Sequence, residues 1–143
     1  MADEKDLKIV EMLMENARTP FTKIAKELGV SESLIRKRVK KLEDRGVIKK
    51  YAAIADNRKI GFDVDALIGI DVEPERYLEA VEKLKALQGI KSIATSSGDH
   101  GIMIEVWKKD MAELRKFVSE DIESIIGVTR VCPAILLEKI KGC

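Results

Sequence analysis

The chain has 143 residues, enough for one medium domain or two small ones. With 45% hydrophobic and 36% charged residues it can bury a core, yet no stretch approaches the roughly 20 apolar residues that span a bilayer. The net charge of +1 hides an asymmetry: residues 1–50 carry 13 Lys/Arg against 9 Asp/Glu, residues 51–143 carry 13 against 16, and 23–50 alone carry 10 against 4. A basic first half points to a nucleic-acid partner.

The opening Asp3-Glu4-Lys5-Asp6 is polar with no apolar h-region behind it, so no secretory signal and a cytoplasmic location are expected. Leu7, Val10, Leu13, Met14 and Ala17 then fall at helical spacing from Asp6 to Asn16. Asp3, Glu4 and Asp6 suit the start of that helix, where acids complement its dipole. A short second helix follows, with Thr19 predicted as N-cap, Pro20 in the first turn, Ile24, Ala25 and Leu28 as its stripe, and Gly29 as its stop. The third helix is predicted from an Ser31 cap to a Gly46 stop. Ile35, Val39 and Leu42 share its apolar face, and Ser33, Arg36, Lys37 and Lys40 lie opposite at about 100° per residue. A short helix, a Gly turn and a helix with a basic outer face form a helix-turn-helix, whose second helix must anchor on one side and enter the major groove on the other.

Val47 to Ile54 reads as extended, and Asp56 to Phe62 as a turn-rich connector. A domain boundary is placed there, giving residues 1–60 and 61–143. The second part alternates: a strand from Asp65 to Val72, a helix from Pro74 to Leu87 with Leu78, Val81, Leu84 and Leu87 inward, and strands Ile90–Ser97 and His100–Trp107 around a Gly98-Asp99 turn. A helix capped by Asp110, with Met111, Leu114, Phe117, Val118 and Ile122 inward, leads to a last strand from Val128 to Ile140. The order β-α-β-β-α-β is the ferredoxin-like motif. The fold class is therefore α+β: a three-helix, winged-type helix-turn-helix followed by a ferredoxin-like βαββαβ domain. Its sheet has one face without helices, and a second copy is the simplest cover, so a homodimer is expected. Trp107 alternates away from Ile102 and Ile104 and fills a sheet or subunit contact in this reading.

Cys132 and Cys143 form no framework and are expected as reduced thiols. A single histidine, His100, and the lack of a Cys-x-x-Cys argue against a metal site. Only Gln88, Asn16 and Asn57 carry side-chain amides, a composition like that of heat-stable proteins.

Taken together, Asn16 to Ala25, Gly29 to Glu43, Gly46-Val47-Ile48-Lys49-Lys50-Tyr51, Ser96-Ser97-Gly98-Asp99-His100 and Gly127-Val128 make the chain resemble the Lrp/AsnC (feast/famine) family of transcriptional regulators over nearly its whole length. The resemblance implies a C-terminal domain of the RAM type, double-stranded operator DNA as partner, dimers that assemble further into tetramers or octamers of dimers, and an amino-acid effector bound where dimers meet. The sequence itself offers no Ser-His-Asp set, P-loop, paired-carboxylate site or metal cluster, so no cofactor, no membrane partner and no enzymatic activity are expected. Carried onto this sequence, the DNA-binding set is Thr19, Thr22, Ser31, Ser33, Leu34, Arg36, Lys37, Lys40 and Lys41, and the effector-binding set is Ser97, Gly98, Asp99 and His100.

Each position has a plainer role beside it. Ser31 caps a helix and can also touch a phosphate. Leu34 meets a thymine methyl or pads the first helix. Arg36 is the candidate for bidentate contact with guanine, while Lys37, Lys40 and Lys41 suit phosphates, which position without specifying. Thr19 and Thr22 sit at a helix start, where free N–H groups favour a phosphate, or only cap it. Gly98-Asp99 is a hairpin turn, or Asp99 meets an effector ammonium. Many family members have Tyr or Phe where this chain has His100. Two rival classes are a tetrapyrrole decarboxylase of similar architecture, for which one histidine is too few, and a purely architectural DNA binder without an effector.

Overall fold

The computed structural model describes residues 2–142 and divides the chain into two compact units between Ile54 and Ala55. Cys143 lies outside the described residues.

The first unit is helical, with α1 Glu4–Glu15, α2 Phe21–Leu28 and α3 Glu32–Asp44. Asp3 caps α1 in a reciprocal capping box with Asp6, and the same two carboxylates bind the Arg38 guanidinium of α3 at 2.7 and 3.1 Å. The Asp3 carboxyl is thereby held below its ordinary value, chiefly by the hydrogen bond from Arg38. The core is Ile9, Leu13, Ile24, Ala25, Ile35, Val39 and Leu42. The α3 seam agrees with the sequence pattern. The α1 stripe does not: Ile9 is fully buried, whereas Leu7 is 56% and Met14 79% exposed, and Ala17 is exposed too. Apolar side chains on α1 span more than half its circumference. The arc that docks is the one carrying Asp6, which Arg38 pulls toward α3.

The α2 cap also differs from expectation. Pro20 occupies the N-cap position without a side-chain bond, and the Thr19 hydroxyl instead donates to the Asn16 carbonyl at 2.6 Å. Residues 49–54 join no strand and make no backbone hydrogen bond among the described residues. The segment read as extended thus pairs with no strand among the described residues, since a ladder needs a neighbour.

The second unit opens with a 3₁₀ turn, Arg58–Ile60, and runs β1 Val64–Val72, α4 Tyr77–Ala86, β2 Ile90–Thr95, β3 Ile102–Lys108, α5 Met111–Lys116, a π-helical turn Phe117–Ile122 and β4 Val128–Ile135. The sheet order is β2-β3-β1-β4, antiparallel throughout, which is the split-βαβ arrangement. Ala66, Ile68 and Ile70 of β1 and Ile102, Ile104 and Val106 of β3 face the helices and are buried with Leu84, Leu114, Phe117 and Ile122. A 3₁₀ turn at Pro74–Arg76 resets the phase of α4, so Ala80 and Leu84 point inward and Leu78 is exposed, as is Met111 of α5. β4 stops at Ile135 rather than Ile140: Ala66 opposite Ile135 is the last register pair, and beyond it one further bond, from the Leu136 N–H to the Asp65 carbonyl at 2.8 Å, ties the tail to β1.

The other sheet face carries Asp65, Leu67, Gly69 and Asp71 of β1 and Met103, Glu105 and Trp107 of β3. It is not simply apolar. Burial pushes the Asp65 carboxyl up, and the tail residue Lys139 reaches Asp65 at 3.4 Å and Glu105 at 2.9 Å. Arg58 donates to the Leu137 carbonyl at 2.9 Å, which holds the same tail. Trp107 packs against Phe62 with ring centroids 6.1 Å apart, under the Lys91 ammonium at 4.2 Å.

Candidate nucleic-acid interface and ligand loop

The α2–α3 turn is built by Gly29, whose φ of +68° few side chains tolerate, and by the Val30 N–H returning to the Ala25 carbonyl at 3.0 Å. Ser31 then starts α3, its hydroxyl accepting from the Leu34 N–H at 3.2 Å. That hydroxyl also lies 3.2 Å from the Ser33 hydroxyl. The seam of Ile35, Val39 and Leu42 is buried, so the opposite face is presented outward.

On that face Ser31, Ser33, Arg36, Lys37, Lys40 and Lys41 are all exposed, and Leu34 is half-buried. Arg36 is held by Glu32 at 2.7 Å, one turn back, and lies 5.9 Å from the Phe21 ring of α2. Lys40 approaches Asp44 at 3.5 Å, an exposed pair that costs little to break. Lys37 and Lys41 make no ion pair among the described residues. Thr22 is exposed in the first turn of α2, and Thr19 is half-buried with its hydroxyl already engaged. Arg38, the remaining cation of α3, faces inward to Asp3 and Asp6 and takes no part in this surface.

In the second unit the β2–β3 connection is a six-residue loop, 96–101, longer than the expected two-residue turn, because β2 ends at Thr95 and β3 begins at Ile102. The Ser96 N–H donates to the Gly101 carbonyl at 2.9 Å and closes it. The Gly98 N–H donates to the Ser96 hydroxyl oxygen at 3.0 Å. Ser97, Gly98 and Asp99 are exposed, whereas His100 turns back onto the sheet with Nδ1 3.1 Å from Asp71 Oδ1. The loop therefore brings Ser97, Gly98 and Asp99 together and separates His100 from them. Asp71 escaped the sequence reading. The available signal was Gly69, since a glycine inside a strand marks close approach by another group.

No group of three or more His, Cys, Asp or Glu that could hold a metal occurs among the described residues, and no helix there is long and apolar enough to cross a membrane. Cys132 of β4 is a free thiol.

Comparison with known proteins fits this layout. Residues 3–49 match the winged helix-turn-helix DNA-binding family, and residues 65–142 match the Lrp/AsnC ligand binding domain. The HTH-type transcriptional regulator LrpA of Pyrococcus horikoshii is 47% identical over 141 residues, covering 99% of this chain and 100% of the relative. The solved structure of E. coli AsnC superposes with a TM-score of 0.87 at 28% identity, covering 100% of this chain and 97% of that one. A transcriptional regulator from Neisseria meningitidis, solved as a complex with L-methionine, shares the fold with a TM-score of 0.89 at 23% identity, covering 99% of this chain and 94% of that one. Such relatives are regulators of transcription, not enzymes. This chain belongs to the Lrp/AsnC family of HTH-type transcriptional regulators, with a DNA-binding helix-turn-helix and a ligand-binding domain.

Proposed function

We propose that residues 1–60 read operator DNA in a sequence-specific manner and that residues 61–143 assemble subunits and bind an amino acid between dimers. In this reading α3 enters the major groove. Arg36 meets guanine, Ser33 and Leu34 reach base edges, and Lys37, Lys40 and Lys41 with Ser31, Thr19 and Thr22 contact phosphates. The observation that carries it is the outward face of α3, where four cations stand exposed behind a seam that is itself fully enclosed. Selection from random duplexes, with and without each of the twenty amino acids, tests it. Enrichment of one motif is expected, and binding that ignores sequence would refute specific readout.

The regulator works as a cytoplasmic homodimer or a higher assembly of dimers, with an amino acid as effector and no other cofactor. Support for the effector comes from the matched ligand-binding domain and from the methionine complex of the Neisseria neighbour. Ser97, Gly98, Asp99 and His100 are assigned to its site, with Asp99 meeting the α-ammonium. Loss of one charge-assisted hydrogen bond weakens binding by about 10- to 100-fold, so Asp99→Ala is expected to do so in calorimetric titration. Unchanged affinity would remove Asp99 from the site.

A further inference from the structure

β1 contains one position that its neighbours do not explain. Ile68 and Ile70 are fully buried under the helices, so the missing side chain of Gly69 would stand on the opposite face of the sheet. That place is filled by the His100 imidazole: a Cβ at residue 69 would lie 2.5 Å from His100 Cγ and 3.0 Å from its Cβ. Backbone conformation does not require glycine here, because the φ of Gly69 is not positive. The requirement is room. A loop residue has been folded down into a recess that only glycine leaves open.

Asp71 is the next β1 residue on the same face, and its Oδ1 holds His100 Nδ1 at 3.1 Å. Both side chains are mostly enclosed, with 19% of His100 and 27% of Asp71 exposed. An ionised carboxylate only accepts hydrogen bonds, so Nδ1 must carry the proton. The contact fixes the tautomer as well as the ring orientation. His100 is followed by Gly101, which completes the loop through its carbonyl bond to Ser96. Seating the ring therefore anchors one end of a loop whose outer residues, Ser97 to Asp99, are exposed.

We propose that Asp71 is a positioning residue for the 96–101 loop: through Nδ1 of His100 it seats the imidazole in the Gly69 recess and sets the loop conformation that receives the amino acid. The ligand clause rests on the function proposed above; the seating itself does not. Asp71 touches no ligand in this account, and its effect passes through His100.

The test uses the full-length protein and its Asp71→Ala, Asp71→Asn and Gly69→Ala variants. His100 is the only histidine, so its imidazole ¹⁵N resonances are unambiguous. In the parent the Nδ1–H tautomer is expected. Asp71→Ala should shift the population toward Nε2–H and speed amide exchange at residues 96–101, with helix exchange unchanged. Asp71→Asn keeps an acceptor oxygen and should retain much of the parent signature, which a role in bulk folding would not explain. Gly69→Ala leaves Asp71 in place but evicts the ring, and should reproduce the loop exchange of Asp71→Ala; if it fails to fold, the Asp71 pair decides alone. Affinity for the amino acid should fall about tenfold in Asp71→Ala, a usual size for coupling through one element. Unchanged imidazole shifts and loop exchange in Asp71→Ala would overturn the proposal. Failure of the parent to bind any of the twenty amino acids would strike out the ligand clause and the effector reading together, while the resonance and exchange measurements still decide the seating.

Discussion

Replacing Arg36 with alanine is expected to flatten the sequence preference of the regulator, while replacing Lys40 with alanine weakens every duplex by a similar factor. A guanidinium can satisfy guanine O6 and N7 together, and such a pair is worth about 1–3 kcal/mol of discrimination against a wrong base, or roughly 5- to 150-fold. An ammonium meeting a phosphate gains from counterion release, which is blind to sequence, so its loss should lower the slope of log affinity against log salt by about 1. Glu32 complicates the first variant, because truncating Arg36 leaves an uncompensated carboxylate on the same face. The double change Glu32→Gln with Arg36→Ala separates the two effects. Competition binding with the selected operator and single-base variants, at several salt concentrations, provides the readout. A uniform loss from both Arg36 and Lys40 variants would contradict the division of roles.

Ile9→Ala is expected to destabilise the helical unit by about 2–5 kcal/mol, the usual range for emptying a fully buried aliphatic site. Leu7→Ala, two residues away on the same helix, should stay within about 0.5 kcal/mol, as exposed substitutions do. Ile9 has no exposed surface, while more than half of Leu7 is exposed. Denaturant unfolding of the full chain, followed by a probe in the first unit, compares the two. Equal losses would mean that the arc of α1 carrying Ile9 is not the one that docks.

That pair also marks where the sequence was legible. α3 could be taken directly from its letters, because Ser31 and Gly46 bound it and Ile35, Val39 and Leu42 fall on a single face. β3 was equally plain, since strict alternation admits one inward set, Ile102, Ile104 and Val106. The order of elements in the second unit followed from periodicity together with Pro74, the Gly98-Asp99 turn and the Asp110 cap. α1 was ambiguous because its apolar residues exceed one face; an ion pair to Arg38, 32 and 35 residues away, selects the arc. Leu78 was misplaced because a 3₁₀ turn ahead of α4 alters the helical phase. The end of β4 depended on how far its pairing with β1 runs, a fact about register that no local pattern contains. In the ligand loop, Asp99 and His100 were visible as chemistry. Their separation was not, since it arises from a glycine recess and a carboxylate about thirty residues earlier in the chain.

Each half of the molecule encloses its own oily interior, and the ribbon joining them at 49–54 spends none of its amides on another described residue. Separate cores predict separate melting: heat or mutation is expected to unfold one module while its companion persists, which would let recombination trade either one as a finished part. For a regulator this is a route to new circuits, in which a reader of one promoter inherits the sensor of another without either having to learn to fold again.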